Sequence, residues 1–320
     1  MKKVILVVAH GTVEHEDDIP AFLDEIRMGR AAPDELVEDL KNRYRIVGGS
    51  PLLKDTRALA ERIQEELKLE ARVAMRLWEP RVRDVVKDLG PDDLVVLVPI
   101  APFSVAVYED AARKELTQLA SPPRLKCIEP WGEVPALIEA HAEQILEALK
   151  ETPAETTHLI LSAHSLPQFI VDRGDRYSHE FERCAALVGE KVMQSRNQLG
   201  LKAPSIHVAY QSQGASGGAW LGPDLSETFE NVKTLNGTHV VVAPIGFLSE
   251  HIETLYDLDI ESKQQVQALG MHLIRVPTLG CHSGLVRTLS HAVRTLLDEG
   301  ATVASQTLTG GKGDLSSLRD

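Results

Sequence analysis

The chain has 320 residues, of which 43% are hydrophobic and 25% are charged, as in an ordinary soluble globular protein. Its 47 acidic and 34 basic side chains give a formal net charge of -13, which argues against nucleic acid or an anionic membrane surface as the main partner. A chain of this length exceeds what a single core usually needs, so we expect two domains.

The first element along the chain is an apolar strand rather than a targeting segment. Only six apolar residues separate Lys3 from His10, too few for the core of a signal peptide. No later apolar run reaches the roughly 18 residues that a membrane span needs. We therefore expect a cytoplasmic protein whose contact with membranes is at most peripheral.

The first half of the chain alternates short apolar strands with amphipathic helices. Strands are predicted over residues 4–9, 72–78 and 94–100, and helices over residues 51–69 and 134–149. Strands this short and this uniformly apolar are typical of a parallel sheet that is buried on both faces.

The second half repeats this order, with strands predicted over residues 159–163, 205–211 and 240–245. The strands of residues 4–9 and 159–163 both run directly into a histidine, His10 or His164. The repeated alternation predicts an α/β protein of two facing, doubly wound (Rossmann-like) domains with parallel four-stranded sheets. A polar stretch at residues 151–157 suggests the boundary. We expect domains at residues 1–150 and 151–300, with a last helix over residues 285–297 and a flexible tail at residues 301–320.

Polar and aromatic side chains follow the predicted strands at their carboxyl ends, where doubly wound sheets bind ligands. Two facing domains would direct them into one cleft. The chain has neither a GxGxxG nor a GxxxxGK[ST] motif, so we expect no nucleotide cofactor. The side chains in question are His10, Trp78, Phe103, His164, Gln211 and His251.

An acidic segment at residues 244–261 follows the last of these strands. If a helix begins at Ser249, Glu253, Asp257 and Glu261 recur every four residues along one face, with His251 beside its start. Like charges at this spacing repel by roughly 0.2–0.5 kcal/mol per pair, which favours a nearby cation. The alternative is a solvated helix face.

Two histidines with carboxylates make a metal site the sharper interpretation of this segment. His164 alone would more often be structural, because ring nitrogens readily bond nearby backbone groups. Together with His251 and the carboxylates, it forms a ligand set that suits a divalent ion such as ferrous iron. Glu250 and Asp259 are interpreted as surface charges.

Aromatic residues are scarce, at 4% of the chain, yet seven of them cluster at the same strand ends and loops. Each one could belong to the core, but together they suit a large, flat, apolar ligand. Four arginines of the first helical region form either a solvated helix face or a site for substrate carboxylates. The aromatic residues are Trp78, Phe103, Tyr108, Tyr177, Tyr210, Trp220 and Tyr256, and the arginines are Arg27, Arg30, Arg43 and Arg45.

Motifs along nearly the whole chain resemble those of the ferrochelatases, which insert iron into a porphyrin in haem synthesis. The most specific are SAHSLP at residues 162–167 and HIETLYDLD at residues 251–259. Further matching segments are VGGSPLL at 47–53, AMRLWEP at 74–80, GDRY at 174–177, YQS at 210–212 and WLGP at 220–223. The resemblance implies a lyase with a chelatase-like fold and the porphyrin in the cleft between its domains.

The resemblance also implies roles for the residues around the metal. His164 and Glu253 correspond to the residues that flank the metal-insertion centre, as proton acceptor and metal ligand in an order that stays open. His251 would orient the turn or relay protons, and Asp257 and Glu261 would form a path for hydrated cations. Ferrous iron is then a substrate. The cluster-binding cysteines of some family members are missing, so no iron–sulfur cluster is expected.

The amino-terminal part of the chain resembles the coproporphyrin-type enzymes more than the protoporphyrin type. We therefore expect coproporphyrin III, with protoporphyrin IX as the alternative, and place Arg27, Arg30, Ser50 and Tyr108 near its propionates. Trp78 and Trp220 are the expected ring contacts. His10 stands where those relatives typically have a tyrosine facing the metal, so an axial bond from His10 to the product iron is a hypothesis resting on its position.

Two other functions remain open at the level of the sequence. One is a related chelatase for another metal or tetrapyrrole, such as a cobaltochelatase. The other is a non-catalytic porphyrin or haem carrier, against which the retained His164 and Glu253 speak. Transient contacts with other enzymes of haem synthesis are an expectation from the pathway alone.

Overall fold

The first half of the chain forms a four-stranded parallel sheet in the order β2-β1-β3-β4 in the computed structural model of the protein. The structure describes residues 1–214 and 218–309, with side chains to residue 298. The strands are β1 (Lys3–Ala9), β2 (Glu70–Met75), β3 (Leu94–Pro99) and β4 (Arg124–Cys127). The helices are α1 (Ile19–Ile26), α2 (Asp34–Val47), α3 (Leu52–Leu67), α4 (Val82–Val86), α5 (Val105–Leu116) and α6 (Pro135–Ala148), with 3₁₀ turns at Glu16–Asp18 and Leu149–Glu151.

The second half repeats the topology, with a four-stranded parallel sheet in the order β6-β5-β7-β8. Its strands are β5 (Thr157–His164), β6 (Ser205–Gln211), β7 (His239–Ala243) and β8 (His272–Arg275). The helices are α7 (Gln168–Asp172), α8 (Tyr177–Gln198), α9 (Leu225–Thr234), α10 (Ile252–Leu255), a π-helix (Asp257–Ser262), α11 (Lys263–Ala268) and α12 (Ser283–Thr309). The predicted fold class is confirmed: two parallel four-stranded sheets alternate with helices.

The two halves exchange their last helices. Ile145 of α6 packs in the core of the second sheet with Leu159, whereas Leu289 of α12 packs in the core of the first sheet with Val7. The exchange shares both cores across the predicted boundary at residue 150, so the division into domains at 1–150 and 151–300 stays a prediction.

Two helices differ in extent from the sequence prediction. The acidic helix begins at Ile252 instead of Ser249 and passes into the π-helix after one turn. Helix α12 continues to Thr309, beyond its predicted end at residue 297, and residues 310–320 of the predicted tail lie outside the described residues. Within the described part of the chain, no helix combines the length and the apolar character that a membrane span requires.

Candidate active site

Side chains from both sheets come close to one another at the carboxyl ends of the parallel strands, in the region that we call the cleft. His10 follows β1, Arg76 follows β2, and His164 ends β5. The backbone N–H of Arg76 donates to the carbonyl of Ala9 over 2.9 Å, and that of Ser165 donates to Gln211 over 2.7 Å. These bonds extend each sheet by one step and fix the first residues of the loops, as expected for a ligand site at strand ends.

His164 is held by its backbone and by one ring nitrogen. Its carbonyl accepts from the Tyr177 hydroxyl over 2.8 Å, and its Nδ1 bonds the carbonyl of Ser165. Ser165 is itself fixed, because its hydroxyl donates to the Leu221 carbonyl over 2.8 Å. A carbonyl only accepts, so Nδ1 carries the proton of neutral His164. The Nε2 lone pair is therefore free to take a proton or to bind a metal.

His251 caps the short helix that carries Glu253. The Glu253 N–H donates to His251 Nδ1 over 3.2 Å, and the His251 N–H donates to the Thr254 hydroxyl over 3.1 Å. Burial lowers the pKa of His251 despite the opposing charge of Glu253. The neutral form is the one that can accept at Nδ1, so this environment preserves the cap and fixes the direction of Glu253.

The polar ends of the His164 and Glu253 side chains face each other. His164 Nε2 lies 3.7 Å from Glu253 Oε2, and the side chains are 34% and 37% exposed. This separation is too long for a hydrogen bond, but one divalent ion with bonds of about 2.1 Å could contact both atoms. Among the described residues, no group of three or more histidine, cysteine or acidic side chains could hold a metal. Of the described histidine, cysteine and acidic side chains, a metal bound here would contact His164 and Glu253.

Arg76 joins His10 to the buried Tyr108. Its Nη2 lies 3.2 Å from His10 Nδ1, and its guanidinium carbon lies 5.4 Å from the centre of the Tyr108 ring. His10 has solvent access on its cleft side, while desolvation by the surrounding protein, followed by the Arg76 charge, lowers its pKa. The structure thus places Tyr108 beneath Arg76, with its ring in the core of the first sheet.

The predicted acidic line is covered by an arginine from the other half of the chain. Arg43 Nη1 lies 3.1 Å from Asp257 Oδ1, and Nη2 lies 3.6 Å from Glu261. The Ser212 hydroxyl donates to Asp257 over 2.5 Å. Burial raises the pKa of Asp257 to about 7, aided by Glu253 and opposed by Ser212 and Arg43. Sequence spacing did not reveal this partner, because Arg43 is more than 200 positions away.

Glu250 is not a surface charge, so that interpretation was wrong. Its carboxylate accepts from Arg275 over 2.8 Å, from the Thr278 N–H over 3.0 Å and from the Thr254 hydroxyl over 2.7 Å. Burial opposes ionisation, but these three donors outweigh it and lower the pKa of Glu250. Asp259 accepts a hydrogen bond from the Nε of the same Arg275 over 2.6 Å. Glu250 therefore ties the loop before α10 to β8.

The four predicted propionate contacts lie in three places, one of which is the buried Tyr108 ring beneath Arg76. Arg27 is half-buried and Arg30 is exposed at the end of α1, where the Nε of each donates to the carbonyl of the other over 3.3 and 3.1 Å. Neither forms an ion pair within the described part of the chain. Ser50 is half-buried, and its hydroxyl accepts weakly from the Leu52 N–H over 3.5 Å at the start of α3.

The two predicted ring contacts are packed differently. Trp78 stands edge-on to Phe22 with 5.7 Å between ring centres, in a cluster that also includes Ile252 of the second half. Trp220 pairs with Pro167 through a backbone bridge, and a Cβ on Gly214 would lie 2.9 Å from its ring. Both tryptophans are half-buried. Whether they contact a porphyrin stays a prediction.

Three residues of this region were not singled out from the sequence. Arg43 was considered only as a member of a basic patch, Glu250 was assigned to the surface, and Arg76 was not considered. Arg76 lay inside the strand predicted over residues 72–78, whereas β2 ends at Met75, so only the structure places Arg76 at the ligand-binding edge.

Comparisons with known proteins identify the family of the chain. A family model described as Ferrochelatase matches residues 2–297. The chain is 33% identical over 312 residues to the coproporphyrin III ferrochelatase of Anoxybacillus flavithermus, covering 91% of this chain and 96% of the relative. It is also 33% identical over 304 residues to the ferrochelatase of Deinococcus radiodurans, covering 90% and 94%.

Solved structures support the fold. SirB from Bacillus subtilis with Fe3+ superposes with a TM-score of 0.55 at 16% identity, covering 94% of this chain and 98% of that one. CbiX, the terminal enzyme of sirohaem biosynthesis in denitrifying bacteria, gives a TM-score of 0.52 at 13% identity, covering 91% and 98%. At these identities the likeness concerns the fold alone.

Proposed function

The chain belongs to the ferrochelatase family, and we propose that it uses coproporphyrin III and inserts iron between His164 and Glu253. It is a lyase that inserts ferrous iron into a porphyrin in haem biosynthesis. The observation that carries the proposed site is the 3.7 Å separation of His164 Nε2 and Glu253 Oε2, two unbonded polar atoms facing one cleft.

His164 is the proposed proton acceptor. Insertion requires the porphyrin to lose its two pyrrole protons, and the fixed tautomer of His164 presents a lone pair at Nε2 to receive one. Glu253 supplies a carboxylate that can stabilise the resulting imidazolium or contact the incoming iron. His251 acts through Glu253, by capping the turn that positions it.

The small number of protein ligands supports transfer rather than storage. Iron held by only two protein groups keeps most of its coordination positions for water or for the porphyrin nitrogens, and can pass to the ring. We propose that Asp257 and Glu261 line the approach of the ion. A cation reaching them would compete with Arg43, which already neutralises part of their charge.

The choice of coproporphyrin III rests on the number of its propionate groups and on the names of the related proteins. Coproporphyrin III has more propionates than protoporphyrin IX. Arg27, which is half-buried, and Arg30, which is exposed, are cations with no carboxylate partner among the described residues. Bidentate bonds from arginine suit such groups. Relatives at 33% identity named coproporphyrin III ferrochelatase point the same way. A cytoplasmic location and contacts with other enzymes of the pathway stay predictions.

An anaerobic insertion assay tests both parts of the proposal. Ferrous iron is offered with each porphyrin in parallel to the wild type, His164→Ala, the double variant Arg27→Gln/Arg30→Gln and the control Arg183→Gln, an exposed arginine paired with Glu133. We expect the double variant to raise KM for coproporphyrin III alone, and His164→Ala to abolish turnover while the porphyrin still binds.

Each part of the proposal has its own contrary result. Full turnover in His164→Ala would refute the proposed insertion site. Preference of the wild type for protoporphyrin IX would refute coproporphyrin III as the substrate. Insertion of cobalt but not iron would favour a related chelatase, and porphyrin binding without any insertion would favour a carrier.

A further inference from the structure

The contact between Arg76 and His10 determines whether His10, on the side of the first sheet, donates or accepts a hydrogen bond in the cleft. Arg76 Nη2 lies 3.2 Å from His10 Nδ1. The guanidinium is anchored from behind by the ring of Tyr108, and its buried Nε has no partner among the described residues. Backbone bonds hold both residues, because the Arg76 N–H donates to Ala9 and the Leu77 N–H donates to the His10 carbonyl over 2.9 Å.

The capacity of each group to donate or accept assigns the tautomer of His10. A guanidinium carries only donors, so His10 Nδ1 must be the acceptor and neutral His10 carries its proton on Nε2. His164 has the opposite arrangement, since its Nδ1 donates to the Ser165 carbonyl and leaves a lone pair on Nε2. His10 directly follows β1, and His164 is the last residue of β5, the equivalent strand of the second half.

We propose that Arg76 is a positioning residue that fixes His10 as an Nε2–H donor, so that the cleft offers an N–H from one sheet and a lone pair from the other. His10 then does not ligate the product iron, contrary to the hypothesis drawn from its position in the sequence. Ligation of iron through Nε2 would move the ring proton to Nδ1, so that two donors, the Nδ1–H and an Arg76 N–H, would face each other without an acceptor. Ligation through Nδ1 would break the bond to Arg76.

An N–H donor suits a specific stage of the reaction, and this part of the inference rests on the proposed function. When His164 has taken a pyrrole proton, the porphyrin nitrogen keeps the electron pair of the broken N–H bond. That electron pair is an acceptor, and a neutral donor from the opposite sheet can stabilise it without giving up its own proton. His10 thus complements His164 across the ring.

Nitrogen NMR on the ligand-free protein tests the tautomer without any porphyrin. Histidine labelled with ¹⁵N is incorporated, and long-range ¹H–¹⁵N correlations are assigned by comparison with His10→Gln and His164→Gln. We expect an unprotonated Nδ1 and protonated Nε2 in His10, and the reverse in His164. Arg76→Leu should give a mixture at His10, whereas Arg76→Lys, which keeps a donor, should preserve the wild-type pattern. A protonated Nδ1 in wild-type His10 would overturn the proposal.

Spectra of the ferric coproporphyrin product complex test the consequence for iron. We expect the absorption and EPR signals that report axial ligation to be the same in the wild type and in His10→Gln. Arg76→Leu should acquire His10 as an axial nitrogen ligand, with a shift of the EPR signal toward low spin that disappears in Arg76→Leu/His10→Gln. A low-spin signal in the wild type that is lost in His10→Gln would refute the assignment. Should a variant fail to bind the product, the NMR result still decides the tautomer, separately from the substrate.

Discussion

Removing the Glu250 carboxylate should destabilise the protein far more than removing a surface carboxylate. The side chains of Glu250 and Arg275 are 20% and 15% exposed, and Glu250 also accepts from Thr278 and Thr254. Breaking a buried ion pair from one side costs about 3–5 kcal/mol. Arg275 keeps Asp259 as a partner at 2.6 Å, so we expect the free energy of unfolding to fall by about 2–4 kcal/mol in Glu250→Ala.

Urea unfolding at pH 7 and at lower pH measures this cost. Glu250→Gln keeps an acceptor oxygen and should lose about half as much, while the control Glu147→Ala removes an exposed pair with Lys150 and should change stability by less than about 0.5 kcal/mol. Because the folded pKa of Glu250 is lowered, its contribution is complete above its unfolded pKa of about 4.3 and is lost as the pH falls through the folded value. A Glu250→Ala variant as stable as the control at pH 7 would refute the reasoning.

Three further predictions concern other parts of the structure. Burial lowers the pKa of His141 to about 3, so the unfolded state takes up a proton first as the pH falls below 6.5. Relative to His141→Leu, the wild type should then lose up to about 1.4 kcal/mol per pH unit in urea melts between pH 6.5 and 5, and parallel pH profiles would contradict this. Gly246→Ala should cost about 1–3 kcal/mol, because its Cβ would lie 2.8 Å from the backbone of Ala163, whereas Gly90→Ala has open space and should be neutral; equal thermal shifts would count against the packing argument. Arg43→Met should raise the pKa of Asp257 above its value of about 7, since the guanidinium opposes the shift, and a ¹³C carboxyl titration showing a lower pKa would exclude that role.

The central strands β1, β3, β5 and β7 were predictable because they are short apolar runs buried on both faces. The edge strands β4 and β8 were not assigned residues from the sequence, because each has four residues that are at most half-buried. Strand β1 is apolar from Val4 to Ala9 and fully buried there, and β5 repeats the pattern before His164. The exchange of α6 and α12 between the two sheets was not predictable. An amphipathic helix has one apolar face whatever it packs on, so its sequence does not say which of two similar sheets it covers.

Residue types and motif spacing by themselves determined the family, the α/β architecture and the candidates His164, Glu253 and His251, because strand ends and short motifs are local properties of the chain. Only the tertiary structure decided which charges meet: Arg43 reaches Asp257 across the cleft, Arg275 holds Glu250, and Arg76 determines what His10 can offer a ligand. Hydrogen bonds and ion pairs act over a few ångströms between residues far apart in sequence. Their partners, and with them the pKa of each group and the tautomer of each histidine, exist only once the two sheets face each other.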